Sequence, residues 1–238
     1  MCALRAYLRH RATLLEYRAA HIQHMQKALQ QMNVQLSQVL TDITGVTRLA
    51  MMRAIVPGER DPVHLTRFRD PRCAHSTEDI AKALTGHYQA EHVFTLQQAL
   101  ALYDFYTVQI GECDAEIERH FEAIQPVRSD ELPVLDQRDK RLAHSKNAPA
   151  YDARSLLYQL TGVDLAAIPG LNASTVQIIV SEIGLDMGKW PNEKAFCAWL
   201  GLAPRHEISG GKVLRRHTRK TRNRAGQALR LAAQAAGR

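Results

Sequence analysis

The sequence predicts a mainly α-helical protein: a long antiparallel coiled-coil hairpin with a helical tip, followed by a small helical domain with a helix-hairpin-helix-like motif. Three observations predict this fold class. Two stretches repeat apolar residues at heptad spacing, a region of turn-forming residues separates them, and a Pro-Gly turn precedes another apolar helical pattern further along. Heptad spacing places apolar residues on one side of a helix, where a second such helix can pair. A chain of 238 residues with 45% hydrophobic content can also bury a core.

The first heptad stretch begins near the start of the chain. No glycine or proline precedes Gly45, so the pattern predicts one uninterrupted helix of about 60 Å at about 1.5 Å per residue. Arg11 and Arg18 occupy equivalent seam positions, which weakens apolar pairing at this end and suits contact with another domain or with nucleic acid. The apolar seam positions are Leu8, Leu15, Ile22, Leu29, Leu36 and Ile43, together with Met25, Met32, Val39 and Val46.

The second heptad stretch predicts the partner helix. Thr95 and Gln98 fit a capping box, which satisfies free amide groups at a helix start, so this helix is predicted to begin at Thr95. Gly111 lies inside it at a cost of about 1 kcal/mol relative to alanine, which packing must offset. The seam positions are Leu96, Tyr103, Ile110, Ile117 and Ile124, with Ala99, Tyr106 and Cys113 as their partners.

Breaker residues and a change in composition define the predicted domains. The coiled-coil hairpin spans 1–124, and its tip, at about 48–94, consists of short helices between proline and glycine breakers. A charged, proline-containing stretch at 125–154 is predicted to be a linker, in which Asp136 and Asp139 are exposed carboxylates rather than metal ligands. The C-terminal domain spans 155–238.

Cysteine spacing and apolar patterns exclude several protein classes. Cys2, Cys73, Cys113 and Cys197 lie too far apart for a paired zinc-ligand pattern or a disulfide framework, which favours an intracellular chain. No uninterrupted apolar stretch is long enough to span a bilayer. The arginine-rich start also suits a transit peptide, but it continues the helical pattern without a break.

A Pro-Gly turn in the C-terminal domain is similar to the turn of a helix-hairpin-helix motif. In such a turn, backbone N–H groups and a helix N-terminus bind a DNA phosphate without reading sequence. Pro169 and Gly170 fit this pattern, and Asn172 takes the place of the usual second glycine because asparagine tolerates the left-handed conformation. The same residues also suit an ordinary connection between helices. Gly184 is predicted to end the helix that follows.

Two further helices are predicted, with a loop or short hairpin between them. The first begins at Asn192 as its N-cap and ends at Gly201. The loop or hairpin, residues 202–214, holds Ser209, and a helix of small residues follows from Asn223 to Ala236.

Positive charge is concentrated at the end of the sequence. From Arg205 to Arg238, ten lysines and arginines stand against one acid, Glu207, which gives a net charge of +9. The whole chain carries +7, so the residues before Arg205 sum to −2. Such a segment indicates binding to a polyanion, and a solvated basic tail is the alternative. Ser209 lies within it beside two glycines, where a lone hydroxyl suits either a phosphodiester nucleophile or a phosphate-binding loop.

The order of short motifs in the C-terminal domain resembles that of insertion-sequence transposases related to the Piv invertases. The motifs are Ile-Pro-Gly, Ser-Glu-Ile-Gly, Trp-Pro-Asn, Gly-Leu-Ala-Pro, Ser-Gly-Gly-Lys, Thr-Arg-Lys and Asn-Arg, followed by an alanine-rich helix. Earlier in the chain, Arg9-His10-Arg11, the heptad helix and the segment from Gly58 to Pro62 resemble that family's coiled-coil insertion. The resemblance covers nearly the whole chain.

The resemblance implies a DNA-cleaving transposase for DNA-mediated transposition, with Ser209 as nucleophile. It implies DNA, a guide RNA and a second copy of the chain as partners, and a cytoplasmic, nucleoid-associated location. In that family an acidic RuvC-like domain supplies carboxylates for Mg²⁺, and its motifs would precede Leu4. The chain is therefore expected to be truncated at both ends and to bind no cofactor by itself. The residues expected to contact DNA, from the turn and from the resemblance together, are Pro169, Gly170, Asn172, Gly210, Gly211, Lys212, Arg215, Arg216, Arg219, Lys220, Arg222 and Arg224.

Two alternatives to an active recombinase stay open. A non-catalytic module would grip nucleic acid through the turn and the basic segment and would oligomerise through the coiled coil. A coiled-coil scaffold would carry the basic segment incidentally. The three hypotheses predict different results. An active recombinase cleaves DNA strands, a non-catalytic module binds nucleic acid in a salt-dependent way without cleavage, and a scaffold does not bind nucleic acid.

Overall fold

The computed structural model describes residues 2–40, 42–127, 146–218 and 223–237, with the backbone alone at 204–208 and 216–218. The chain divides into two compact units. The tip unit is Ala12–Gly111, and the C-terminal unit combines Met1–Arg11 with Glu112–Arg238. The predicted domain boundaries at 124 and 154 stay a prediction, and residues 128–145 of the predicted linker lie outside the described part of the chain.

Two long helices, α1 (Cys2–Gln31) and α6 (Ala90–Glu122), run through both units. In the tip unit, the rings of Tyr17 and Tyr106 lie 5.5 Å apart. In the C-terminal unit, the rings of Tyr7 and His120 lie 4.9 Å apart. Earlier residues of α1 thus meet later residues of α6, as antiparallel pairing requires. The mainly helical fold class and the antiparallel helix pair are confirmed.

The first helix is shorter than predicted, because it ends at Gln31 rather than continuing towards Gly45. Asn33 adopts a left-handed φ of +55°, and the carbonyl of Met32 accepts a hydrogen bond from the amide of His87 at 2.7 Å. The turn lets later seam residues, such as Leu36, enter the core of the tip unit from a separate one-turn helix, α2 (Leu36–Val39). Burial in tertiary structure therefore overrides a local pattern that contains no breaker.

The second helix starts earlier than predicted, at Ala90 rather than Thr95. The hydroxyl of Thr95 donates to the carbonyl of Glu91 at 2.8 Å, as a threonine inside a helix does, so the capping box is wrong. The amide of Val93 bonds to the carbonyl of Gln89 at 3.0 Å, which extends the helix towards its start. No glycine or proline lies between Gly86 and Thr95 to prevent this extension.

Short helices fill the tip, as the breaker residues predict. They are α3 (Val46–Ile55), α4 (Pro62–Leu65) with a 3-10 turn at Thr66–Phe68, and α5 (Thr77–Ala83). Side-chain N-caps start two of them, since Asp61 accepts from the amide of Val63 and Ser76 from that of Asp79. These helices bury a core whose largest members are Met25, Leu29, Met32, Leu36, Met51, Met52, Ile55, Leu65, Ile80, Leu84 and Leu96.

Where it is described, the C-terminal unit contains four further helices and one β-hairpin. The elements are α7 (Ala153–Thr161), a 3-10 turn (Leu165–Ala167), α8 (Ala173–Ile183), α9 (Glu193–Trp199), β1 (Pro204–Ser209), β2 (Lys212–Thr218) and α10 (Arg224–Ala236). Asn192 caps α9 and Gly184 ends α8, as predicted. The helix predicted from Asn223 to Ala236 is α10, with Asn223 as its N-cap. Ile183, Leu200 and Ala225 form a small buried core between these elements.

Candidate nucleic-acid interface

A β-hairpin presents the predicted serine loop. Ser209 pairs with Lys212 at the end of the two antiparallel strands, and Gly210 and Gly211 form the turn between them. Their φ values of +55° and +75° match the positive φ that a type I′ turn needs at both central positions. The register shifts by one residue after Glu207, which leaves Leu214 without a cross-strand partner as a β-bulge. The two glycines thus set both the turn and the position of Ser209.

The turn is open to an approaching ligand. Ser209, both glycines, Lys212 and Arg215 are exposed. A Cβ placed on Gly210 or on Gly211 would meet nothing within 4 Å. No described residue forms a hydrogen bond with the Ser209 hydroxyl, so no described group is placed to take its proton. The arrangement can therefore receive a phosphate, while a base for serine attack is not found in the described part of the chain.

Other predicted basic residues are described only in part. Arg224 is exposed at the first position of α10. Arg216 belongs to β2, where only its backbone is described. Arg219, Lys220 and Arg222 lie outside the described residues, so their predicted contacts with DNA stay predictions.

The helix-hairpin-helix-like turn has the predicted position but a different role for Asn172. This residue adopts an extended φ of −119°, and the left-handed conformation predicted for it is wrong. Its side-chain oxygen accepts hydrogen bonds from the Thr175 amide at 2.8 Å and from the Thr175 hydroxyl at 3.0 Å. Asn172 is thus the N-cap of α8, and its oxygen occupies one of the amide donors that a bound phosphate would use.

Gly170 joins this turn to the last helix. Its φ of +86° suits glycine, and a Cβ on it would lie only 2.2 Å from the carbonyl oxygen of Ala232 in α10. Gly226, also in α10, makes a similar approach, since a Cβ there would lie 2.4 Å from the carbonyl oxygen of Leu200. The guanidinium of Arg230 donates to the carbonyl of Gly201 at 2.7 Å. Helix α10 therefore ties the Pro-Gly turn to the residues that lead into the hairpin.

Arginines of α1 hold the other end of α8. Arg5 donates to the carbonyls of Ser181 at 3.0 Å and of Glu182 at 3.1 Å. Arg9 forms a bidentate pair with the Glu182 carboxylate, at 2.8 Å and 2.9 Å through one nitrogen of its guanidinium. Cations near a helix C-terminus also interact favourably with its dipole. These contacts were not predicted from sequence, although the i, i+4 spacing of the two arginines places both on one face of α1.

A buried polar network connects α1, α6 and the segment before α7. Arg11 and Asp114 form an ion pair whose side chains are 9% and 3% exposed. The guanidinium also donates to the carbonyls of Asn147 and Ala148, each at 3.2 Å, and the amide of Ala150 donates to the carboxylate at 3.2 Å. The hydrogen-bonding groups of Arg11, which weakens the predicted seam, are therefore satisfied inside the C-terminal unit, and this side chain is not free to bind nucleic acid.

The partly buried Tyr151 and the buried Cys113 are unsuited to acid–base work near neutral pH. Burial raises the pKa of the Tyr151 hydroxyl, which accepts a hydrogen bond from the side chain of Gln177. Burial also raises the pKa of the Cys113 thiol, with the nearby Asp114 carboxylate acting in the same direction. A reactive thiolate at Cys113 is therefore disfavoured.

Neither a metal-ligand group nor a membrane span is found where the structure is described. Across 2–40, 42–127, 146–218 and 223–237, no group of three or more His, Cys, Asp or Glu residues is placed to hold a metal ion. None of the helices in these ranges is long and apolar enough to cross a membrane.

Comparison with known proteins identifies a similarity in the C-terminal unit. Residues 164–238 match the family model described as the transposase IS116/IS110/IS902 family. No curated protein and no solved structure matches the chain. The matched range is about a third of the sequence and contains the Pro-Gly turn, the β-hairpin and α10. The chain is therefore similar, over this range, to insertion-sequence transposases, and the match supports a transposase role.

Proposed function

We propose that the chain is a DNA-binding, strand-cleaving transposase for DNA-mediated transposition of an insertion sequence. The observation that carries this proposal is the transposase match of residues 164–238, a range that contains the exposed hairpin turn and the basic segment from Arg205 to Arg238. Lys212 and Arg215 are exposed on the strand that follows the turn, and such cations bind the DNA backbone through its phosphates.

In the proposed reaction, Ser209 attacks a phosphodiester. Its Oγ forms a bond to phosphorus, the bond from phosphorus to one bridging sugar oxygen breaks, and the DNA strand becomes esterified to the serine. The serine proton passes to a base, and the departing sugar oxygen takes up a proton. Lys212 is paired with Ser209 across the hairpin, and Cβ atoms of directly opposite residues lie about 4.5–5.5 Å apart. Its ammonium is thus close enough to neutralise charge on the phosphate oxygens.

The Mg²⁺ implied by the resemblance does not fit the residues described here. Those residues include no group of three or more His, Cys, Asp or Glu side chains placed to hold a metal ion. The proposed contribution of the described residues is to bind DNA and to present the serine.

A non-catalytic nucleic-acid-binding module is the second candidate. The observation that favours it is the Ser209 hydroxyl itself, which has no hydrogen-bonded base among the described residues, and cleavage needs such a base or a metal ion. In this case the hairpin and the basic segment would bind DNA, or a guide RNA, through their phosphates alone.

Binding and cleavage are tested with one labelled duplex. Fluorescence anisotropy should show binding that weakens with salt. A plot of the logarithm of the association constant against the logarithm of the salt concentration should have a slope of about −0.9 per phosphate contact on duplex DNA. Lys212→Ala and Arg215→Ala should each reduce that slope by about one contact, whereas Lys27→Ala, an exposed lysine on α1, should leave it unchanged. The same titration with RNA of equal length tests the guide-RNA partner. If the chain bound neither DNA nor RNA at any salt concentration, both candidate functions would be contradicted.

Cleavage is then tested with radiolabelled DNA, in buffer with and without Mg²⁺. The proposed reaction gives a covalent protein–DNA adduct that is absent in Ser209→Ala and retained in Ser37→Ala, a matched change at an exposed serine of α2. Binding without an adduct under every condition would favour the non-catalytic module. An adduct that persists in Ser209→Ala would exclude this serine as the nucleophile.

Self-association through α6 is a further part of the proposal. Phe94, Ala101 and Val108 recur every seven residues on an exposed side of this helix, and Phe105 lies beside them. Sedimentation equilibrium should give a dimer for the wild type and a monomer for Val108→Glu. Thr107→Glu, which places the same charge on another exposed side, should stay a dimer. A monomeric wild type would contradict self-association.

A further inference from the structure

Three aromatic rings form a cluster at α9 that the serine and the Pro-Gly turn do not use. The centroids of Trp190 and Trp199 lie 5.0 Å apart, and so do those of Trp190 and Phe196. The rings of Phe196 and Trp199 are nearly parallel, with 15° between their planes and 6.4 Å between their centroids. Contacts of this kind fix the orientation of each ring.

The cluster has an inner and an outer part. Trp190 and Phe196 are partly buried and pack against the core formed by Ile183, Leu200 and Ala225. Trp199 is 45% exposed. The inner rings therefore anchor Trp199 while much of its indole surface stays in contact with solvent. Trp199 therefore offers an oriented, solvent-accessible indole face on which another aromatic ring can stack.

The surrounding chain indicates what would cover this surface. Trp199 lies five positions before β1, directly ahead of the segment from Arg205 to Arg238 that carries a net charge of +9. Proteins that bind single-stranded nucleic acid combine aromatic side chains, which stack on bases, with cations that follow the phosphates. Both components occur here in consecutive parts of one unit.

We propose that Trp199 is a stacking platform for an unpaired nucleobase of the bound nucleic acid, with Trp190 and Phe196 as its positioning residues. This inference rests on the proposed binding of nucleic acid by the basic segment. It adds a contact that needs a base outside a duplex, as at a single-stranded end or at an opened site. Such a contact tolerates any base, because every base has a π-face.

Intrinsic fluorescence gives a direct test, since Trp190 and Trp199 are the only tryptophans in the chain. Trp190→Phe leaves Trp199 as the sole tryptophan, so that selective tryptophan excitation reports on Trp199 alone, and it keeps an aromatic ring in the cluster. Titration with a 20-nucleotide single-stranded DNA should quench this emission, with the same midpoint as the anisotropy of the labelled oligonucleotide. A single-stranded RNA of the same sequence shows which of the two polymers supplies the base.

Substitution of Trp199 provides a second test of the stacking platform. Trp199→Ala should weaken single-strand binding by roughly 5- to 100-fold, the range expected for one lost base stack, and should affect a blunt duplex less. Trp199→Phe should keep most of the affinity. Leu231→Ala removes an apolar side chain that is 67% exposed on α10 and should have no effect. Circular dichroism shows whether each variant is folded, and the Trp190→Phe titration does not depend on removing Trp199.

The outcomes separate this inference from the proposed function. If the wild type binds no nucleic acid by anisotropy, the proposed function fails and the stacking platform fails with it. If binding is normal but Trp199 emission is unchanged, the stacking platform alone is overturned. Equal affinities of Trp199→Ala and Leu231→Ala for the single strand would also overturn it.

Discussion

Three glycines show how the surroundings of a residue determine its role. Gly170 and Gly226 each lie against a backbone carbonyl, at distances where a Cβ would be only 2.2 Å and 2.4 Å from the oxygen. Gly111 lies on α6, where an added Cβ would meet nothing within 4 Å. All three are glycines within or beside helices, and only tertiary packing separates the necessary ones from the replaceable one.

Replacing these glycines with alanine should therefore have opposite effects. Gly226→Ala forces its methyl group against a carbonyl and should destabilise the C-terminal unit by about 1–3 kcal/mol, the usual cost of overpacking. Gly170→Ala should cost at least as much, because its φ of +86° also disfavours alanine. Gly111→Ala should stabilise α6 by about 0.5–1 kcal/mol. Urea unfolding, followed by circular dichroism, measures these changes.

Hydrogen exchange locates the same effects. Amides of α10 should lose protection in Gly170→Ala and Gly226→Ala, whereas amides of α6 should gain protection in Gly111→Ala. Unchanged protection of α10 in Gly170→Ala would show that the close approach to Ala232 is not maintained in solution.

Some residue roles could be predicted from sequence because they depend on neighbours along the chain. Asn192 and Asn223 are N-caps, and Gly184 ends a helix, as their local contexts indicate. Asn172 has the same chemistry as these caps, yet its likeness to the second glycine of a DNA-binding turn suggested a left-handed conformation. Its side chain forms a cap instead, because an asparagine just before a helix can satisfy the amide of the third helical residue.

At the scale of elements, the heptad pattern predicted which sides of the long helices are buried but not where the helices end. Leu29, Leu96 and Ile117 are buried as the seams require. The end of α1 at Gln31 depends on the approach of Gly86 and His87 to the Met32 carbonyl, more than fifty positions later in sequence. Contacts at such separations leave no local signal, so the pattern extended the helix too far.

The hairpin could be predicted from the sequence, whereas the contacts that stabilise the candidate site could not. Two consecutive glycines between strand-forming residues favour a tight turn, and Gly210 and Gly211 adopt the positive φ values that it needs. By contrast, the pairing of Arg9 with Glu182 joins residues 173 positions apart. The stacking platform was also missed, because only the structure shows that Trp199 is exposed.

At the scale of the whole molecule, the two ends of the sequence belong to one folding unit. The first residues of α1 join the last part of α6 and all later elements in the C-terminal unit. The buried pair of Arg11 and Asp114 is central to this arrangement, since its hydrogen bonds also reach Asn147, Ala148 and Ala150. The start of α1 should therefore affect the stability of elements that carry the candidate nucleic-acid interface, more than a hundred residues away in sequence.

Breaking this pair should destabilise the C-terminal unit strongly. Arg11→Ala or Asp114→Ala leaves an uncompensated buried charge, which typically costs about 3–5 kcal/mol, and hydrogen exchange should show lost protection in α7 and α8. The double variant Arg11→Met with Asp114→Leu removes both charges and should recover much of the loss. Arg53→Ala is the control, because its ion pair with Asp104 is about half exposed and should contribute about 0–1 kcal/mol. If Asp114→Ala matched the control, the first residues of α1 would not be integral to the C-terminal unit, and DNA binding should then survive their removal.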